Sequence, residues 1–251
     1  MNMNILKSTL IACITIMYVA LSGCDKAEYS GTDNSSGKGG SLARFTVVGD
    51  YMYVVDKGNL YSFDISTPDN PRQMAVSNVG FNVETIYPFK DKLFIGSQEA
   101  MYIYSLSDPA KPSRLGEASH LRACDPVVAN DSMAYVTVRT GTNCGGSINA
   151  LYSYNVRNPL APVLMNTRNL GNPKGLALNG SVLYVCDDVY GLAVMSLDVP
   201  TAPFEVKRVL GGQFHDAIVL DDVLICMIEG GMMIYDLENP FSPQLLSRVT
   251  N

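Results

Sequence analysis

The apolar positions of this 251-residue chain fall in short runs separated by turn residues. In Val182–Gly212, VLYVCDDVYGLAVMSLDVPTAPFEVKRVLGG, one apolar run leads through a tight turn to a second, and a proline-bracketed turn leads to a third. Runs of about four to seven residues bounded by Gly, Pro, Asn or Asp predict strands. The runs are nearly continuous, as in Leu192–Leu197, and do not alternate apolar with polar. Such strands are expected to be buried on both faces, as when one blade of a propeller packs on the next.

This unit recurs five times. The second proline of the turn falls at Pro71, Pro112, Pro162, Pro203 and Pro243, with intervals of 41, 50, 41 and 40. Upstream, YVVD, FIGS, YVTV, YVCD and LICM begin at Tyr53, Phe94, Tyr135, Tyr184 and Leu224, with intervals of 41, 41, 49 and 40. Two markers that keep one period near forty indicate a propeller or solenoid. The D-x-x-P or N-x-x-P element ends a strand, because proline lacks the donor that a ladder needs. The Asp or Asn before it can cap the turn.

The expected fold is therefore all-β: a β-propeller of five blades, each of four antiparallel strands. It would occupy residues 42–251, divided at 42–79, 80–119, 120–169, 170–210 and 211–251. The first repeat starts with its own inner strand and the last ends with its own outer strand. Ring closure then rests on face packing between the first and last blades, with an open or oligomer-completed ring as the alternative.

The aromatic-Val-small-Asp strand, the Gly-led second strand and the D-x-x-x-P-x-x-P turn resemble LVIVD repeats, a β-propeller-type repeat of bacterial and archaeal surface proteins. The best copies are Tyr184–Pro203 and Tyr53–Pro71, whereas Phe94–Ser97 and Leu224–Met227 depart at the strand. The resemblance implies shape and location and leaves the chemistry open. WD-type repeats are disfavoured because the chain has no tryptophan.

Residues 1–23 read as a targeting segment, with Lys7 as the positive flank and Leu10–Leu21 as an apolar stretch too short to span a membrane comfortably. The stretch ends in Leu21-Ser22-Gly23-Cys24, which resembles the bacterial lipobox, so Cys24 is the expected lipidation site; an ordinary signal peptide with a chance cysteine is the alternative. Asp25–Ser41, rich in Gly, Ser and polar residues, is expected to be a flexible tether, so residues 24–41 follow the signal as a linker. The expected address is a membrane-anchored lipoprotein of the bacterial cell envelope, at the outer membrane.

Net charge is −6. An acidic surface argues against nucleic acid and leaves neutral partners open. Export would permit a disulfide. Cys124, at the start of the third repeat, and Cys144, in the long hairpin insertion RTGTNCGGSIN, are the expected pair, with two unrelated thiols as the alternative. Cys186 and Cys226 are placed at one repeat position and expected to be buried free thiols. No C-x-x-C or H-x-x-x-H spacing exists, so no metal or other cofactor is expected. Asp187-Asp188 and Asp221-Asp222 lack a D-x-D-x-D context and read as solvated turn carboxylates.

Counting back from the second strand puts Arg44, Glu84, Asp125, Lys174 and Asp216 near the start of each first strand, with His215 beside Asp216. In a propeller this strand is innermost, so these residues are candidates for a channel-mouth binding site. They would either form salt bridges between adjacent blades or make a polar funnel for a ligand. The expected function is a binding or assembly module for an envelope protein or glycan. The alternative is a carbohydrate-active hydrolase that uses Glu84, Asp125 and Asp216 as its inner carboxylates. Short hairpins build little cleft for a substrate, so an enzyme is the less favoured reading.

Overall fold

The structure is a computed structural model and describes residues 39–119, 126–140 and 148–250. Blade 1 contains β1 (Phe45–Val48), β2 (Tyr51–Asp56), β3 (Asn59–Asp64) and β4 (Arg72–Asn78). Blade 2 contains β5 (Val83–Phe89), β6 (Lys92–Ser97), β7 (Ala100–Ser105) and β8 (Ser113–Ser119). Blade 3 contains β9 (Val127–Ala129), β10 (Met133–Val138), β11 (Ala150–Asn155) and β12 (Val163–Asn169). Blade 4 contains β13 (Pro173–Asn179), β14 (Val182–Asp187), β15 (Gly191–Ser196) and β16 (Phe204–Val209). Blade 5 contains β17 (Phe214–Leu220), β18 (Val223–Ile228), β19 (Gly231–Asp236) and β20 (Gln244–Thr250). Each blade is a four-stranded antiparallel meander whose strands pair in chain order, and none is borrowed from another blade. Cys24, Cys124, Cys144 and Asp125 lie outside the described residues.

A register shift between the third and fourth strands falls at the same place in all five blades: Ser62/Phe63, Ile103/Tyr104, Ser153/Tyr154, Val194/Met195 and Ile234/Tyr235. A bulge adds local twist, so the repeat twists every outer strand at one position.

Packing explains the unbroken apolar runs. Tyr53, Val55 and Leu60 meet Ile86, Leu93 and Ile95 between blades 1 and 2, and Phe94, Met101 and Ile103 meet Val127, Val136 and Tyr152 between blades 2 and 3. Met133, Tyr135 and Leu151 meet Leu176, Leu183 and Val185 at the third joint. Tyr184, Cys186 and Leu192 meet Leu224, Cys226 and Tyr235 at the fourth. The middle strands of blades 2 to 4 are therefore almost wholly buried, whereas β3 and β18 alternate between buried and half-exposed positions. Among the described residues no fifth cluster joins blade 5 to blade 1, so the expected face-to-face closure is not made and the ring is open there.

The pairing corrects one alignment. Val182 and Val223 both open the second strand of their blade, so Ile225, rather than Leu224, is the counterpart of Tyr184. The β18–β19 turn, Glu229–Gly230, is one residue shorter than Asp188–Tyr190 in blade 4, so a proline spacing of 40 conceals a strand spacing of 41. A one-residue shift moves a side chain to the opposite face. Cys186 and Cys226 are thus not equivalent: one faces forward and the other back, and they share one core between blades 4 and 5. Both are buried free thiols.

Candidate functional site

Glu84, Lys174 and His215 are each the second residue of their inner strand, at β5, β13 and β17. Each meets the second-to-third-strand hairpin of its own blade. Gln98 Nε2 donates to Glu84 Oε1 at 3.4 Å. Lys174 Nζ lies 2.8 Å from Asp188 Oδ2, and His215 Nε2 lies 3.3 Å from Glu229 Oε2. Each of these three contacts lies within a single blade. Burial and the nearby Lys174 push the His215 imidazole toward its neutral form, against the pull of Glu229.

Arg44 and Asp216 stand one register position later than those three residues. Arg44 is exposed, and its carbonyl accepts the Val55 amide at 2.8 Å. Asp216 belongs to a different structure, a strap formed by the residues that lead into β1. Ser41, 1% exposed, donates from Oγ to Asp216 Oδ1 at 3.1 Å and accepts the Leu176 amide at 2.7 Å. The Leu42 amide reaches Asp216 Oδ2 at 3.4 Å, and the Ala43 carbonyl accepts the Ile86 amide at 2.9 Å. Three consecutive residues, Ser41, Leu42 and Ala43, therefore tie blades 4 and 5 to blade 2. Ser41, placed in the flexible tether by its composition, is a built part of the fold, because its hydroxyl satisfies a buried amide and a half-buried carboxyl at once.

Glycine makes room for this contact. A Cβ on Gly175 would lie 2.8 Å from Asp216 Cα, and one on Gly40 would lie 2.1 Å from Asp216 Oδ2. Only a residue without a side chain allows that approach. Burial raises the Asp216 carboxyl from 3.8 to about 6, against the hydrogen bonds that lower it. Covered by Gly40–Leu42, Asp216 is not offered to a substrate, and this weighs against its use as a hydrolytic carboxylate. Asp187, expected to be solvated, is also buried: it accepts the amides of Gly171, Asn172, Val189 and Tyr190 and so fixes the turn around itself.

At the opposite ends of the inner strands lies a cavity of about 300 Å³. Tyr87, Phe89 and Lys90 line it from blade 2, Val128 from blade 3, Leu176, Leu178 and Asn179 from blade 4, and Ala217, Val219 and Asp221 from blade 5. Gly39 and Ser41 of the strap complete the lining. Burial raises the Tyr87 phenol. Lys90 Nζ sits 2.5 Å from Asp131 Oδ1 and 5.4 Å from the centre of the Phe89 ring. The lining thus combines apolar and aromatic side chains with a lysine, an amide and a carboxylate. The sequence reading placed its candidates at the other mouth. The signal for this one was the set of two-residue turns after each inner strand, Lys90-Asp91, Gly180-Ser181 and Asp221-Asp222, which gathers polar residues at one end.

Residues 39–78, the strap and blade 1, match the LVIVD repeat. Among curated proteins, none matches the chain. Three of the solved structures that share the fold illustrate the likeness. The computationally designed Ika8 protein aligns with 82% of this chain and 60% of its own, with a TM-score of 0.61 and 10% identity. The periplasmic gluconolactonase PpgL of Pseudomonas aeruginosa aligns with 80% of this chain and 68% of its own, with a TM-score of 0.60 and 12% identity. BamB from Moraxella catarrhalis aligns with 77% of this chain and 56% of its own, with a TM-score of 0.59 and 9% identity. The chain thus spans between 56% and 68% of the length of these structures. At such identities the likeness establishes the propeller fold alone.

Proposed function

We propose that this propeller, whose first blade is an LVIVD repeat, is a lipid-anchored binding or assembly module of the bacterial cell envelope, with the axial cavity as its recognition site. The observation that carries this reading is the cavity itself, walled by the inner strands of four blades and the strap. At about 300 Å³ it stands at the small end of ligand sites, the size of a single ring or a large side chain. A sugar has apolar faces and hydroxyl edges, and Phe89 and Tyr87 beside Lys90, Asn179 and Asp221 supply both kinds of contact. The terminal group of an envelope glycan, or a side chain of an envelope protein, is the occupant we assign. Cys24 in the Leu21–Cys24 motif would carry the anchor and the segment after it would give reach, placing the protein at the outer membrane.

A second reading, a carbohydrate-active hydrolase, draws support from the shared fold of a gluconolactonase. The cover of Gly40–Leu42 over the half-buried Asp216 counts against it. Glycan-panel binding with the purified chain separates the two. The binding reading expects retention without turnover and at least a tenfold loss of affinity in both Tyr87→Ala and Lys90→Ala. Turnover abolished by Glu84→Gln would establish the hydrolase instead. For the anchor, labelled palmitate should enter the wild type; equal labelling of Cys24→Ala would remove that part of the proposal.

A further inference from the structure

Among the described residues, blades 1 and 5 each keep one face that no other blade covers, and both faces are built like joints. On the free face of blade 1, Phe45 pairs beside Val54 and Tyr61, and Met52 beside Phe63. The positions of Val54 and Phe63 hold Ile95 and Tyr104 in blade 2, where they are fully packed. On the free face of blade 5, Ile225 lies beside Ile234 and Met227 beside Met232. In blade 4 those positions are held by Tyr184, Val194, Cys186 and Leu192, all buried against blade 5. Yet Phe45 is 59% exposed and Met227 44%. Solvent-facing end blades call for a polar outer face; contiguous apolar surface marks an interaction site.

We propose that the two faces join each other between copies, blade 5 of one chain packing onto blade 1 of the next. Each face is one half of a joint that the chain makes four times within itself, so the occupant matching blade 5 is a blade-1 face, and a second copy carries one. The strap favours a second copy over closure within one chain. The inner strands of blades 2 to 5 line the axial cavity, β1 does not, and Gly39 and Ser41 stand there instead. Ser41 and Leu42 are held by Asp216, so the strap occupies the approach that blade 1 would need. A phenol is not required: Tyr53, Tyr135 and Tyr184 bond to the next blade, but the joint between blades 2 and 3 forms with Phe94 in that position, as Ile225 would in the new one. The contact is head to tail, and such interfaces extend into linear assemblies unless the rotation closes.

Sedimentation of the purified chain with Phe45→Lys and Met227→Lys tests this, because both positions are exposed and neither substitution enters a core. The wild type is expected to grow in mass with concentration. Each variant alone should remain monomeric, and an equal mixture of the two should approach twice the mass of one chain, since it restores one intact joint. A monomeric wild type, assembly that persists in either variant, or a mixture that stays monomeric would each overturn the proposal. Circular dichroism identical to wild type confirms that the variants are folded. The outcome is independent of glycan binding at the cavity.

Discussion

The hydroxyl of Tyr184 donates a 2.7 Å hydrogen bond to the carbonyl of Pro240 in the following blade. Tyr53 makes the same bond to Pro109 at 2.8 Å, and Tyr135 to Pro200 at 2.9 Å. In each case the acceptor is the first proline of the next blade's turn, so that turn lies over the preceding blade. Burial pushes the Tyr184 phenol up to about 12, which keeps it a donor at every pH the protein meets.

Replacing Tyr53, Tyr135 or Tyr184 by Phe should therefore lower the unfolding free energy by about 1 kcal/mol each. The three sites lie in different joints, so the losses should add. Urea denaturation with an unchanged slope is the measurement. A triple variant as stable as wild type would show that the bonds contribute nothing net.

Asp216 gives a pH dependence of defined sign. Its folded-state value of about 6 lies above the ordinary 3.8, so the native state holds the proton more tightly than the unfolded chain. The stability from this group is complete below about pH 4 and is lost as pH rises through about 6. At about 1.4 kcal/mol per unit, the loss is about 3 kcal/mol. Asp64, held down to about 2 chiefly by its bonds from Ser66, acts in the other direction and only below about pH 4, where stability falls with falling pH. The two windows do not overlap. Urea midpoints taken between pH 4 and 7 should fall in wild type and stay flat in Asp216→Asn; parallel curves would refute the assignment.

Burial raises the thiols of both Cys186 and Cys226, the latter to about 12. Thiolate is the reactive form, so neither should react with a disulfide reagent while the protein is folded. Labelling monitored by mass should follow the rate of unfolding and speed up in urea. Prompt modification of Cys226 in buffer would place it outside the core between blades 4 and 5.

The fold was legible because two features repeat independently. The prolines mark where ladders must stop, and the apolar runs mark strands covered on both sides. What the sequence concealed was parity. A hairpin one residue shorter in blade 5 left the prolines in step while Leu224 and Ile225 exchanged faces, and so Cys226 was assigned the wrong direction. The charged positions suffered the same slip: Glu84, Lys174 and His215 are equivalent, and Arg44 and Asp216 are not among them. The strap was invisible for another reason. Gly40 and Ser41 sit in a stretch whose composition reads as linker, and only the approach of Gly175 to Asp216 shows why a small residue and a hydroxyl are needed there. The cavity was missed because it is built between blades, from Leu176 and Ala217 in the middle of their strands and Lys90 and Asp221 in the turns, which the repeat does not single out.

The latches also set an order of completion along the polypeptide. Tyr53 waits 56 positions for its acceptor and Tyr184 another 56 for its own, so blades 1 and 4 stay unlatched until most of the next blade has emerged. Ser41 waits 175 positions for Asp216. The strap thus seats only after β17 has formed, and closing the chain over that separation makes its seating a late event in assembly. Until it is seated, the inner strands of blades 2 to 5 surround a bore whose lining lacks Gly39 and Ser41.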